Sequence, residues 1–266
     1  MNDVTLIDIS GGFLPLLLGA LGVCIGSFLN VCIYRMPRGE SVVSPGSRCG
    51  NCGTAIRWYD NVPVVSYLVL GGKCRACSAH ISARYVLVEL LTGVVFALHG
   101  WFFDAGALLA VRLVLAAILI ALFFIDLEHQ LLPDALTLPG VALGIAASFF
   151  LPPGWMASAI GAALGALILL AIRLGWKRAT GVDGMGLGDV KMLAMIGAFL
   201  GWQAVWLVLF FASLAGAITG VAVAALGKGT MKSKLPFGTF LAVAALFASL
   251  WGERLIAWYV GLITLQ

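Results

Sequence analysis

The sequence predicts an all-α polytopic membrane protein of about eight transmembrane helices, with one small extramembrane domain between the first two. Three observations predict it. Of 266 residues, 62% are hydrophobic and 11% charged, whereas soluble chains run about 45–50% apolar and about 25% charged. The apolar residues gather into eight runs, most of them close to the roughly 20 residues that a helix needs to cross a bilayer. Of the 16 Lys and Arg residues, 14 fall in loops on one side of those runs. The same composition excludes a collagen-like, disordered or disulfide-stapled chain. A net charge of only +4, spread over membrane loops, speaks against nucleic acid as a partner.

In chain order the runs cover 13 to 33, 84 to 103, 107 to 125, 135 to 151, 155 to 174, 189 to 202, 203 to 226 and 237 to 251. Glu253 to Leu265 reads as a separate, shorter amphipathic tail. Asp3 and Asp8 precede the first run with no Lys or Arg beside them, so a cleavable signal peptide is not expected and the first span stays. Glycines such as Gly161 and Gly165 suit close packing of helices. Three segments emerge: 1–33, an outer N-terminus and first span; 34–83, a loop domain; and 84–266, the remaining spans.

Orientation follows from the basic residues. Arg35, Arg38, Arg48, Arg57, Lys73, Arg75 and Arg84 lie in or beside the first loop. Arg173, Lys177, Arg178 and Lys191 flank the loop after the fifth run, and Lys228, Lys232 and Lys234 the penultimate one. Only Arg112 and Arg254 fall opposite. Positive charge stays inside, so the N-terminus is expected outside and these loops, together with Asp126 to Asp134, in the cytoplasm.

The first loop carries Cys49-x2-Cys52, then 21 residues, then Cys74-x2-Cys77. Each Cys-x2-Cys turn aims two thiolates at one point, so the two turns suit one tetrahedral structural Zn2+. Two disulfides are the alternative, which a reducing cytosol disfavours. Four thiolates leave no open position for a catalytic water. His80 reads as a solvent-exposed residue, and Cys24 and Cys32 as small apolar side chains of the first span.

Two carboxylates stand out. Asp126 ends an apolar run, and Asp189 opens another after Gly184-Met185-Gly186-Leu187-Gly188. A carboxylate at membrane depth is a functional candidate by default. Both are expected at the same cytosolic boundary, where they can meet. Two carboxyls in one desolvated cleft share a single proton, which equips them for general acid–base hydrolysis of a peptide bond. The plainer alternatives are that Asp189 caps its helix and that Asp126 pairs with Lys191. Asp134, after Pro133, reads as the N-cap of the fourth span.

Taken together, Gly26-Ser27-Phe28-Leu29-Asn30-Val31-Cys32-Ile33-Tyr34-Arg35-Met36-Pro37, the four cysteines, Gly71-Gly72-Lys73-Cys74, Asp126 in Ile-Asp-Leu-Glu-His-Gln-Leu-Leu-Pro-Asp, Gly-x-Gly-Asp at 186 to 189 and Lys234-Leu235-Pro236-Phe237-Gly238 resemble the type IV prepilin peptidases. The resemblance spans nearly the whole chain. It implies a bacterial inner-membrane aspartic protease with Asp126 and Asp189 catalytic at the cytosolic face. The family removes a basic leader from prepilins or type II secretion pseudopilins after a glycine, then methylates the new N-terminal residue with S-adenosylmethionine. The methyl-transfer site is attributed, by resemblance alone, to the zinc-bearing region with Gly72 and Glu40 or Glu89; Glu89 also reads as half of an interfacial ion pair. Gly186 and Gly188 would let the backbone approach an extended substrate, and Lys191, Lys234, Pro236, Phe237 and Gly238 would belong to the loops that close on it. Arg35 reads as an interfacial anchor or as an orienter of Asn30 or substrate. The chain departs from the family at Val86 and Thr239, where proline is common. A polytopic ion or metal transporter with a zinc-sensing domain is the alternative, although the internal repeats that transporters often carry are not visible. A non-enzymatic scaffold in pilus assembly is a third reading.

Overall fold

The computed structural model describes residues 12–226 and 236–264. The expectations for the first ten residues and for Lys228, Lys232 and Lys234 lie outside them. Helices and turns make up the described residues, with no strand longer than an isolated bridge among them. The helices are α1 (Phe13–Arg35), α2 (Val65–Val69), α3 (Arg84–Phe102), α4 (Ala107–His129), α5 (Asp134–Ala147), α6 (Trp155–Thr180), α7 (Leu187–Leu200), α8 (Trp202–Ala225) and α9 (Phe237–Thr264). The chain divides into two compact units, Met1–Ala121 and Leu122–Gln266, and the division falls within α4.

In the first unit α1 lies against α3, and small residues set the approach. A Cβ on Gly22 would come within 2.7 Å of the Thr92 carbonyl oxygen, and one on Gly26 within 2.7 Å of the Glu89 Cα. Pro37 follows α1 in a single 3-10 turn that Gly39 closes with φ +68°. Arg35 then ties down the returning loop by donating to the carbonyls of Ser41 (3.0 Å) and Gly46 (3.3 Å). Asn30 donates instead to the Tyr85 carbonyl, 2.9 Å away.

In the second unit α7 forms the core, packed by α5, α6, α8 and α9. Met192, Leu193, Met195 and Ile196 on it are fully buried. Gly161 of α6 faces Gly197 of α7 backbone to backbone, and Ser158 donates to the Ala198 carbonyl at 2.6 Å.

All eight expected apolar segments are helical, and six of the helices are long and apolar enough to cross a membrane. The other two, α5 and α7, have 14 residues each, about 21 Å at 1.5 Å per residue, against a hydrocarbon layer of about 30 Å. Gly201, with φ +83°, ends α7 and leads straight into α8. The expected separate tail is not present. Residues from Glu253 onward continue α9 without a break, because the drop in hydropathy there brings neither proline nor a capping turn.

Candidate active site

Asp126 lies one turn from the end of α4, which closes where Gln130, at φ +51°, donates its backbone N–H to the Asp126 carbonyl. Asp189 is the third residue of α7. Both side chains are buried, with exposures of 5% and 8%. Each sits at the start of a helix, though not always its own. The Oδ2 of Asp126 accepts hydrogen bonds from the backbone N–H of Thr239 (2.8 Å) and from its hydroxyl (3.1 Å), in the first turn of α9. The amide of Gly186 is directed at Asp189, in the manner of a third helical residue reaching back to its cap. Gly238, beside Asp126, and Gly188, next to Asp189, both close on the Leu132 side chain. The positive ends of α9 and α7 thus offset the desolvation of two neighbouring carboxyl groups. Asp189 does lie in the first turn of its own helix, as its capping alternative expected.

Gly238 has no room for a side chain. A Cβ there would lie 2.9 Å from both Asp126 Oδ2 and Leu132 Cδ1. Gly188 is constrained in the same way, its Cβ position 2.8 Å from the Leu132 Cβ. The sequence expectation of backbone freedom is therefore met differently: Gly188 is helical, Gly186 takes an extended conformation open to any residue, and smallness is what the structure uses at 188 and 238. Pro236 and Phe237 lead into α9 half-buried. The alternative pairing of Lys191 with Asp126 does not occur, because the Lys191 ammonium sits on Asp134. Asp134 is the first residue of α5 and Pro133 occupies the cap position. Thr239 is the site residue that sequence reasoning missed; the only signal was its departure from the family's proline, and a proline could not donate a backbone hydrogen bond.

The four loop cysteines come together in the first unit. Their sulfur atoms all lie within 4.8 Å of one another, and none forms a disulfide. Cys49 Sγ and Cys77 Sγ are 3.8 Å apart, which matches the edge of about 3.8 Å in a tetrahedron with metal–sulfur bonds of about 2.3 Å. The two turns repeat one pattern. The N–H of Cys49 bonds the Thr54 carbonyl, that of Cys74 bonds the Ala79 carbonyl, and Gly53 and Ser78 hold positive φ at corresponding places. The Thr54 hydroxyl beside Cys52 brings that thiol down to about 6, and the amides of Cys77 and Ala76 lower Cys74. This donor set fits a metal ion such as zinc. His80 stays exposed, in a bridge with Lys73. Gly72, at φ +68°, packs its backbone against the Tyr67 ring. Glu40 is exposed, while Glu89 is buried and accepts the Val64 N–H at 2.7 Å.

Residues 20–103 match the model of the bacterial peptidase A24 N-terminal domain and residues 113–221 that of the type IV leader peptidase family. A protein of Pseudomonas aeruginosa is 39% identical over 267 residues, covering 90% of this chain and 91% of its own. The chain belongs to the type IV leader peptidase family. A protein of Aeromonas salmonicida is 39% identical over 267 residues (90% and 91% covered), and one of Dichelobacter nodosus is 41% identical over 269 (89% and 91% covered). All three relatives are named prepilin leader peptidase/N-methyltransferase, which leaves the transporter alternative without support. No solved structure matches.

Proposed function

We propose that this protein is a membrane aspartic endopeptidase that removes the basic leader of prepilins or type II secretion pseudopilins and then N-methylates the exposed residue with S-adenosylmethionine. The observation that carries the reading is a pair of buried carboxyls at helix ends, Asp126 held by Thr239 at the start of α9 and Asp189 in the first turn of α7, with Gly238 and Gly188 beside them both closing on Leu132. One carboxylate is ionised and takes a proton from a water molecule as that water attacks the scissile carbonyl. The other is protonated and gives its proton to the departing amine, so that water is split across the peptide bond and no covalent intermediate forms. Thr239 holds Asp126 in place, and Gly186, Gly188, Pro236, Phe237 and Gly238 border the path of the extended substrate. Lys191 is held away from the pair by Asp134.

The distribution of Lys and Arg supports a multi-pass inner-membrane protein with its N-terminus outside and the aspartates at the cytosolic face, where a basic leader would arrive. A zinc ion held by Cys49, Cys52, Cys74 and Cys77 supplies a structural crosslink to a loop too small to fold on a core. Gly72, Glu40 and Glu89 are the candidates for methyl transfer.

The test is direct. Purified protein in detergent is mixed with a prepilin whose leader ends in Gly before Phe, and the products are weighed by mass spectrometry. Leader-free pilin is expected, gaining one methyl group when S-adenosylmethionine is added; an intact precursor would contradict the proposal.

A further inference from the structure

The four-cysteine loop turns an apolar face outward. Val65, Leu68 and Val69 share one stripe of α2, at i, i+3 and i+4. They are 55%, 70% and 74% exposed, while Ser66, Tyr67 and Leu70 on the other side are half-buried. The Ser66 hydroxyl donates to the Tyr59 carbonyl at 3.0 Å, which fixes the 3-10 turn Trp58–Asn61 beside α2. That turn leaves Trp58 82% exposed. A loop this small needs its few apolar side chains inside, so large ones facing out mark a surface with a partner.

What covers the stripe follows from where α2 is held. Gly22 and Gly26 of α1 face Thr92 and Glu89 of α3, so the end of α1 and the start of α3 lie together. With 19 residues, about 29 Å at 1.5 Å per residue, α3 crosses a hydrocarbon layer of about 30 Å only by using its whole length. Its first turn therefore lies at the membrane surface. Glu89 is the sixth residue of α3 and leans back toward that turn. It accepts the N–H of Val64, the residue before α2, at 2.7 Å. Val64 holds φ +61° in a γ-turn closed by the Val65 N–H on the Pro63 carbonyl at 2.6 Å, a conformation that β-branched residues rarely adopt. The strained turn and its carboxylate anchor keep the start of α2 level with the lipid headgroups. Charge agrees with this depth. Residues 34–83 carry six Lys and Arg against Glu40 and Asp60, a surplus that outlasts the two negative charges of a zinc site with four thiolates. Arg57, next to Trp58, and Lys73, after the Gly71-Gly72 turn, are both exposed.

We propose that α2 and Trp58 dock into the anionic headgroup layer of the leaflet at which α3 begins, as an interfacial anchor that holds the cysteine-bearing loop on the membrane. An apolar stripe with a tryptophan and cations at its edge is the composition that lies in such an interface. A soluble partner would not require the start of α2 to be tied to a carboxylate of a spanning helix. Docking of this kind needs only the membrane spans, whichever side the loop faces and whatever reaction the aspartates perform.

The experiment is tryptophan quenching of the full-length protein in nanodiscs of phosphatidylglycerol brominated on its acyl chains close to the headgroup. The chain has eight tryptophans, so the share of Trp58 is read as the difference between wild type and Trp58→Phe. That share should lose most of its intensity to brominated lipid and little to acrylamide, a neutral quencher in the water. Leu68→Asp combined with Val69→Asp changes two exposed side chains, so helix content should stay as in the wild type while Trp58 passes from lipid to acrylamide quenching. Wild-type Trp58 quenched by acrylamide and not by bromine would overturn the proposal. Protection from both quenchers would overturn it as well, since it would show the face covered by protein, a second copy of the chain included. A double variant whose Trp58 stays quenched by lipid would overturn the anchoring role of α2.

Discussion

Lys191 Nζ lies 2.7 Å from Asp134 Oδ1 and 2.8 Å from Oδ2. The lysine two positions after Asp189 is thereby committed to the start of α5. The pair is partly exposed, at 32% for Lys191 and 57% for Asp134, and such pairs contribute about 1 kcal/mol or less. Lys191→Met should therefore lower thermal stability only slightly and keep cleavage within a few-fold of wild type. A collapse of the rate with stability unchanged would show that the ammonium acts on the aspartates after all.

Thr239 gives Asp126 Oδ2 two donors. Thr239→Val keeps the amide and the shape but deletes the hydroxyl. Hydrogen bonds to charged groups contribute about 1.5–3 kcal/mol, so kcat should fall by about tenfold or more with KM nearly unchanged, and Thr239→Ser should restore it. An unchanged kcat in the valine variant would remove Thr239 from the positioning of Asp126.

Gly238 tests the closeness of the packing. A methyl group would enter within 2.9 Å of Asp126 Oδ2 and Leu132 Cδ1, forcing the carboxyl out of place. Gly238→Ala should abolish leader removal in a protein that still inserts and purifies normally. Near-normal turnover would mean that α9 can shift without disturbing Asp126.

The cysteine cluster predicts one zinc per chain in elemental analysis of the purified wild type. Changing Cys49 and Cys52 to Ser should release it. Because structural zinc supplies on the order of 10–16 kcal/mol, residues 34–83 should then become open to proteolysis. Zinc-free wild type with a protease-resistant loop would contradict the assignment.

Much of this was legible in the chain. Apolar run lengths located every long helix, and the Cys-x2-Cys spacing located both turns of the cluster, because both signals are local. Asp126 and Asp189 were each visible as carboxylates at the edge of an apolar run. The hold of Thr239 on Asp126 was not, since it depends on how the start of α9 meets the end of α4, 113 positions from Asp126 to Thr239. The partner of Lys191 was invisible for the same reason, because Asp134 lies 57 positions away in the chain. Residues from Glu253 onward were misread because hydropathy reports on lipid contact, whereas continuation of a helix depends on backbone bonds that charged residues do not interrupt.

The central claim is that two buried carboxyls share the work of splitting a peptide bond. Asp126→Asn and Asp189→Asn keep the size of each side chain and remove its acid–base function. Cleavage of a purified prepilin should fall by about 10²–10⁴ or more in each, while binding of S-adenosylmethionine stays intact as proof of folding. Wild-type cleavage by either variant would contradict the account.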